Sequence, residues 1–195
     1  MKLGVLFSGG KDSSYALYKA RKDVKVLITI DSKNKDSFMF HTPVDKVSEL
    51  YKKIKIPLIK VETEGKKEEE LEDLKLAIKK AIEEYKIEGI VTGAVASTYQ
   101  ASRIQKICDE LDIYCFNPLW MKDQEELLRE IVKKFKIKIF KVAADGLDES
   151  WINKIIDEEN LEELIELSKK YRFSVSGEGG EIETEVEEFP DDFSN

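Results

Sequence analysis

The sequence predicts an α/β fold, a parallel sheet with helices on both faces, followed by a smaller C-terminal α/β unit. Three observations carry this expectation. Short runs rich in Val, Ile and Leu alternate with amphipathic segments over the first two-thirds of the chain. The first of these runs ends in a glycine turn, Ser8-Gly9-Gly10-Lys11-Asp12-Ser13, that opens a helix. After Trp120 the pattern becomes shorter and richer in turns, which divides the chain into residues 1–120 and a smaller unit, 121–195, with an acidic C-terminal tail. At 195 residues and 42% hydrophobic content, the chain is long enough and apolar enough to bury a core in both.

Strands are expected at Lys2–Phe7, Val24–Ile30, Leu58–Glu62, Gly89–Thr92 and Tyr114–Phe116. Between them, helices are expected at Asp12–Lys22, Pro43–Lys53, Lys66–Tyr85 and Thr98–Leu111. Thr42 is a natural N-cap for the second of these, and Pro43 suits its first helical position. In the fourth, Ile104, Ile107, Cys108 and Leu111 recur at helical spacing, so one face points to a core. Beyond Trp120 the pattern gives a helix at Gln124–Phe135, a strand at Lys136–Val142, a turn-rich stretch over Ala143–Trp151 and a helix at Leu161–Tyr171. Phe173–Val175 then leads into a glycine cluster. The tail after Glu183 is acidic enough to be expected partly disordered.

Charge and cysteine usage narrow the function classes. The net charge is −8, and eight acids lie within Ser176–Asn195, a stretch without Lys or Arg. Removing those eight from the 40 acids leaves as many as the 32 Lys and Arg, so the body is neutral. That argues against a nucleic-acid partner. No apolar run approaches the ~20 residues of a membrane span. Met1-Lys2 runs straight into the first strand, so a cytoplasmic protein without a leader is expected. Cys108 and Cys115 lack CxxC spacing and read as small core residues. With His41 as the one histidine, neither a Cys/His zinc site nor a Ser-His-Asp triad is expected.

The glycine turn carries the chemistry. A strand, a glycine loop and a helix start converge backbone N–H groups and the positive end of a helix dipole on one point, where a polyphosphate is held. The spacing is neither that of a Walker A loop nor that of the dinucleotide fingerprint. It resembles the pyrophosphate loop of N-type ATP pyrophosphatases, the PP-loop enzymes, which split ATP between the α and β phosphates. Ser8 and Ser13 would donate hydroxyls and Gly9 and Gly10 their amides. Lys11 would neutralise the departing pyrophosphate, and Asp12 is the candidate Mg²⁺ ligand. Lys11 and Asp12 are the catalytic candidates; His41 and Gly93 are expected beside the nucleotide.

Further motifs follow in order. Ser37–Pro43 comes after the second strand, Gly93–Arg103 after the fourth and Pro118-Leu119-Trp120 after the fifth. Gly146–Trp151 and Gly177-Glu178-Gly179-Gly180-Glu181-Ile182-Glu183-Thr184 lie in the second unit. Together with the phosphate loop they resemble the diphthine–ammonia ligase family over nearly the whole chain. The resemblance implies an adenine nucleotide alpha hydrolase-like, Rossmann-like first domain. It implies ATP-dependent amidation of diphthine, a modified histidine on translation elongation factor 2, through an adenylated carboxylate. Departures from the family pattern stand at Thr98, Ala101 and Asn153, where relatives often carry Asp, a basic residue and Gly, and in a C-terminus that stops soon after Phe189-Pro190.

Diphthine carries a fixed trimethylammonium, and ammonia arrives largely as ammonium; aromatic faces and carboxylates suit both cations. Tyr99, Trp120 and Trp151 offer faces, and Asp148, Glu178 and Glu181 offer charge. Gln100, Arg103, Glu149, Ser150, Gly179 and Gly180 complete the candidate substrate side. ATP, Mg²⁺, ammonium and elongation factor 2 are the implied cofactors and partners, and a homodimer is compatible with the sequence. Two alternatives stand beside this: a PP-loop ATP pyrophosphatase that modifies tRNA, with Cys108 or Cys115 carrying sulfur, and a non-catalytic adenine-nucleotide-binding protein.

Overall fold

The computed structural model describes residues 1–33, 54–64, 66 and 69–194. His41 and the helix expected over Pro43–Lys53 lie outside the described residues. Five strands, β1 (Leu3–Leu6), β2 (Val24–Ser32), β3 (Leu58–Thr63), β4 (Gly89–Val91) and β5 (Tyr114–Phe116), form one sheet in the order β3-β2-β1-β4-β5. Every pairing in it is parallel, with Val5 level with Leu27 on one side and Val91 on the other.

Alternation along the strands sends side chains to two separate cores. Val26, Ile28 and Ile90 meet Leu74, Ala77, Ile78 and Ala81 of α2 (Glu69–Tyr85) and Ile104, Ile107 and Cys108 of α3 (Thr98–Glu110). Leu3, Val5, Leu27 and Val91 face the other way, onto Tyr15, Ala16 and Leu17 of α1 (Lys11–Ala20). That second core continues without interruption into the C-terminal unit, through Leu127, Leu128 and Ile131 of α4 (Gln124–Val132) and Leu161, Leu164 and Ile165 of α5 (Glu158–Tyr171). Helices thus cover both faces, as the alternating pattern predicts, and C-terminal elements lie on the α1 side. Among the described residues no helix is long and apolar enough to cross a membrane.

The C-terminal sheet is antiparallel, in the order β7-β6-β8, from β6 (Lys136–Val142), β7 (Ile155–Ile156) and β8 (Ile182–Glu188). Here the expectation of a disordered acidic tail is corrected. Ile182, Thr184 and Val186 are buried, and the acids between them face the lysines of β6. Lys138 holds Glu185 at 2.8 Å and Glu187 at 2.6 Å, Lys141 holds Glu183 at 2.6 Å, and Lys136 holds Glu188 at 3.0 Å. Cross-strand opposite charges on one face, with apolar burial on the other, turn an acid-rich segment into a strand. Asn153 adopts φ 67°, a left-handed conformation in which Asn is among the few tolerated side chains.

The last helix starts earlier than its apolar spacing indicates. Asp157 accepts the Asn160 amide at 3.0 Å, and Asn160 reaches back to the Asp157 amide at 3.0 Å, a reciprocal cap. Asp157→Ala should lower stability by about 1 kcal/mol, read as a modest fall in melting temperature. An unchanged melting curve would show that the cap is dispensable.

Candidate active site

The strand order reverses between β1 and β4, and in open α/β sheets ligands collect at the carboxyl ends of the strands flanking such a point. The phosphate loop leaves β1 there. Gly9 has φ 77°, which glycine adopts without steric cost, and Gly10 is the N-cap of α1. The Ser8 and Ser13 hydroxyls lie 3.0 Å apart, Ser13 Oγ also receives the Ser8 amide at 3.2 Å, and the Gly10 amide lies 3.4 Å from Ser8 Oγ. The two serines close the loop on itself and fix the direction of its amides.

Gly93, after β4, abuts this loop. A methyl group added at Gly93 would lie 2.7 Å from the Ser13 nitrogen and 2.8 Å from the Asp12 carbonyl carbon. The two loops of the switch point therefore touch backbone to backbone, through a residue with no side chain.

Lys11 is buried. Its ammonium donates to Asp12 Oδ2 at 2.6 Å and to the Ser176 carbonyl at 2.5 Å, while its backbone amide donates to Thr184 Oγ1 at 3.3 Å. Asp12 Oδ1 is buried and has no hydrogen-bond partner among the described residues. The Val186 amide donates to the Gly9 carbonyl at 3.1 Å. The C-terminal unit thus contributes Ser176, Thr184 and Val186 to the surroundings of the phosphate loop. Ser176 and Val186 are not singled out by the sequence; Thr184 ends the Gly177–Thr184 motif, and the alternation Ile182-Glu183-Thr184-Glu185-Val186 marks it as inward-facing.

The glycine–glutamate segment packs on the loop after β4. Glu178 Oε2 accepts the Ala96 amide at 3.0 Å, just before Ser97, whose hydroxyl caps α3 by accepting the Gln100 amide. Burial pushes the Glu178 carboxyl above the usual carboxylate range, and the nearby Asp12 adds to this. Glu181 plays an internal part: its carboxylate accepts the Gly179 amide at 2.8 Å and the Ser174 amide at 3.4 Å. Gly177 and Gly180 both have positive φ, which the tight return of the chain requires.

Around this cluster the candidate substrate residues separate into two groups. Tyr99, Gln100 and Arg103 lie in the first turns of α3, and the Arg103 guanidinium stacks 3.5 Å from the Tyr99 ring centroid. Trp120 is brought beside the Gly93–Ser97 loop by two bonds: its amide donates to Asn117, and the Met121 amide donates to Val95 at 2.8 Å. These residues flank the loop after β4, whose Gly93 abuts Asp12 and Ser13. The Gly146–Trp151 stretch has contacts of its own. Gly146 lies against the Tyr171 ring, and the Asp148 carboxylate accepts both the Ser150 amide and hydroxyl, which hold its carboxyl below the usual range. Glu149 and Ser150 are exposed.

Trp151 is 3% exposed within the core, and Lys154 Nζ covers its ring at 4.0 Å. A buried ring covered by its own lysine is what ordinary core packing requires. Trp151→Leu should cost about 2–3 kcal/mol of stability, and the KM for ATP and for the acceptor should move together or not at all. A rise confined to the acceptor's KM would return Trp151 to the substrate site.

Among the described residues no three His, Cys, Asp or Glu side chains cluster closely enough to hold a metal ion. Cys108 is buried among α2 and α3, its thiol pushed up by the neighbouring Cys115 thiol and by burial.

Comparisons with known proteins agree with this arrangement. Residues 1–114 match the model of the diphthamide synthase N-terminal domain, and residues 123–190 that of the diphthamide synthase C-terminal domain. The chain is 35% identical to a diphthine–ammonia ligase of Homo sapiens and 34% identical to one of Mus musculus, in each case over 94% of this chain and 78% of the relative. Among solved structures, it resembles a Methanocaldococcus jannaschii protein described as a predicted subunit of tRNA methyltransferase. The TM-score is 0.52 and the identity 20%, over 97% of both chains, a likeness of fold alone.

Proposed function

The chain belongs to the diphthamide synthase family, and from that premise we propose that it amidates diphthine on translation elongation factor 2, consuming ATP and ammonium. The observation that carries the reading is the direct contact between the phosphate loop and the glycine–glutamate segment, through Lys11 to Ser176 and Lys11 to Thr184. A loop suited to pyrophosphate release and a segment rich in acids and glycines share one mouth.

In the reaction, a carboxylate oxygen of diphthine attacks the α-phosphorus of ATP, and the bond to the β-phosphate breaks. Pyrophosphate leaves with that electron pair, held by the Ser8 and Ser13 hydroxyls and the Gly9 and Gly10 amides. Lys11 neutralises the charge that develops on it. Ammonium first gives one proton to solvent; the resulting ammonia attacks the acyl carbon, AMP leaves with the acyl C–O electron pair, and the second proton lost by the attacking nitrogen also passes to solvent. Carboxylate attack needs alignment more than proton removal, so the rigid loops do most of the work. Asp12 Oδ1, buried and unpartnered among the described residues, suits a Mg²⁺ ion bound by one carboxylate and by phosphate oxygens, and such an ion would offset the charge of the triphosphate. Tyr99, Arg103 and Trp120 form the nearer wall for the acceptor. We place the protein in the cytoplasm with its elongation-factor substrate.

Incubation with ATP, ammonium and diphthine-bearing elongation factor 2 tests this directly. The expected result is conversion of the carboxylate to an amide by mass, with AMP and pyrophosphate formed in step. AMP formation on a tRNA with no change in the factor would favour the RNA-modifying alternative; no AMP with either would point to a nucleotide-binding protein.

A further inference from the structure

The segment between α5 and β8 occupies groups that a polyphosphate needs. Lys11 is 3% exposed, and its ammonium is already committed to Asp12 Oδ2 and to the Ser176 carbonyl at 2.5 Å. Two residues further on, the Glu178 carboxylate accepts the Ala96 amide at 3.0 Å and draws on the Ser97 amide as well. Those amides belong to the loop that presses Gly93 onto the backbone of Asp12 and Ser13. One strap therefore sets a carbonyl oxygen on the phosphate-binding lysine and a carboxylate on neighbouring backbone donors. Both are the contacts an anionic ligand would make. A triphosphate arriving beside Asp12 and Glu178 would also meet two carboxylates.

The strap is anchored at its two ends: the Ser174 hydroxyl donates to Gln124 Oε1 at 2.7 Å, and the Glu181 carbonyl accepts the Ala143 amide at 2.8 Å. Between them, Ser174 Oγ receives the Glu178 amide at 3.2 Å, Glu181 accepts the Ser174 and Gly179 amides, and Glu178 and the Ser176 carbonyl reach to the first domain. Gly177, Gly179 and Gly180 supply backbone freedom on either side of Glu178.

We infer that Ser174–Glu181 is a self-occupying strap: its own oxygen atoms compete with phosphate oxygens for Lys11 and for the Ala96 and Ser97 amides, and nucleotide binding releases it. The inference rests on the ATP reading above. Lys11 reaches a phosphate once Ser176 lets go, and the donors at Ala96 and Ser97 open once Glu178 withdraws. A strap closed nine-tenths of the time weakens apparent nucleotide affinity roughly tenfold.

Titration of the full chain with α,β-methylene-ATP, which cannot be cleaved between the α and β phosphates, tests it. Glu178→Ala and Glu178→Gln should bind the analogue roughly fivefold to tenfold tighter than the wild type. In the wild type, hydrogen exchange at the Gly177–Gly180 amides should quicken when the analogue binds. The glutamine variant keeps an acceptor oxygen and loses only the charge, so it reports even where the alanine variant fails to fold. Equal or weaker binding by the glutamine variant, or strap amides that become more protected with the analogue, overturns the inference and makes Glu178 a fixed strut. A wild type that binds no analogue overturns the ATP reading itself, a result distinct from a wild type that binds and a variant that gains nothing.

Discussion

Lys11→Ala is expected to lower kcat for ATP-dependent amidation by roughly 10²–10³-fold, the usual loss when one donor to a developing negative charge is removed. The same change strips Asp12 of its ion-pair partner at 2.6 Å and leaves a partly buried carboxylate unpaired with Lys11. That adds a stability cost of about 1–3 kcal/mol. For a chain of this length, each kcal/mol lowers the melting temperature by roughly 2–4 °C. The variant therefore remains folded at 25 °C, and kcat measured there, against a melting curve of the same preparation, separates chemistry from stability. Turnover close to that of the wild type would remove Lys11 from the reaction and leave it as a strut between Asp12 and Ser176.

Gly93→Ala is the second large effect. The added methyl would sit 2.7 Å from the Ser13 nitrogen, 2.8 Å from the Asp12 carbonyl carbon and 2.9 Å from the Ser13 Cα. All three are backbone atoms, so no side-chain rotation relieves the contact. The start of α1 must move away from β4, and the amides of Gly9 and Gly10 move with it. Overpacking of this kind costs about 1–3 kcal/mol. A displacement of about 1 Å in positioning groups costs roughly a hundredfold in rate, so kcat/KM for ATP should fall by about that factor while the protein stays folded. Wild-type kcat/KM in a folded Gly93→Ala protein would show that the loops after β1 and β4 adjust independently.

Much of the fold is legible in the sequence wherever local pattern and tertiary role coincide. β5 and β6 occupy the spans that their apolar runs mark, and α3 starts at Thr98 because Ser97 is a capping residue. The missed strands have one cause, long-range partners, whereas the missed helix start is local. β8 is hidden by its acids until Lys136, Lys138 and Lys141 are placed opposite them. β7 is only two residues long and exists because Ile137 and Lys138 lie alongside. α5 is read from Leu161 onward, yet its start at Glu158 is set by the Asp157–Asn160 cap, which an apolar count passes over. In the site, Ser8–Ser13 and Gly93 are visible as motifs. The commitment of Lys11 to Ser176, the Glu178 bond to Ala96 and the burial of Trp151 under Lys154 depend on chain segments that meet only in three dimensions.

The bond from the Val186 amide to the Gly9 carbonyl has a consequence for how the protein is made. Residues 9 and 186 lie far apart in the sequence, and Thr184 reaches Lys11 across much the same gap. During synthesis the phosphate loop is therefore made well before β8, the strand that braces it, and it stays unbraced until β8 has emerged. A chain cut short before β8 lacks that brace.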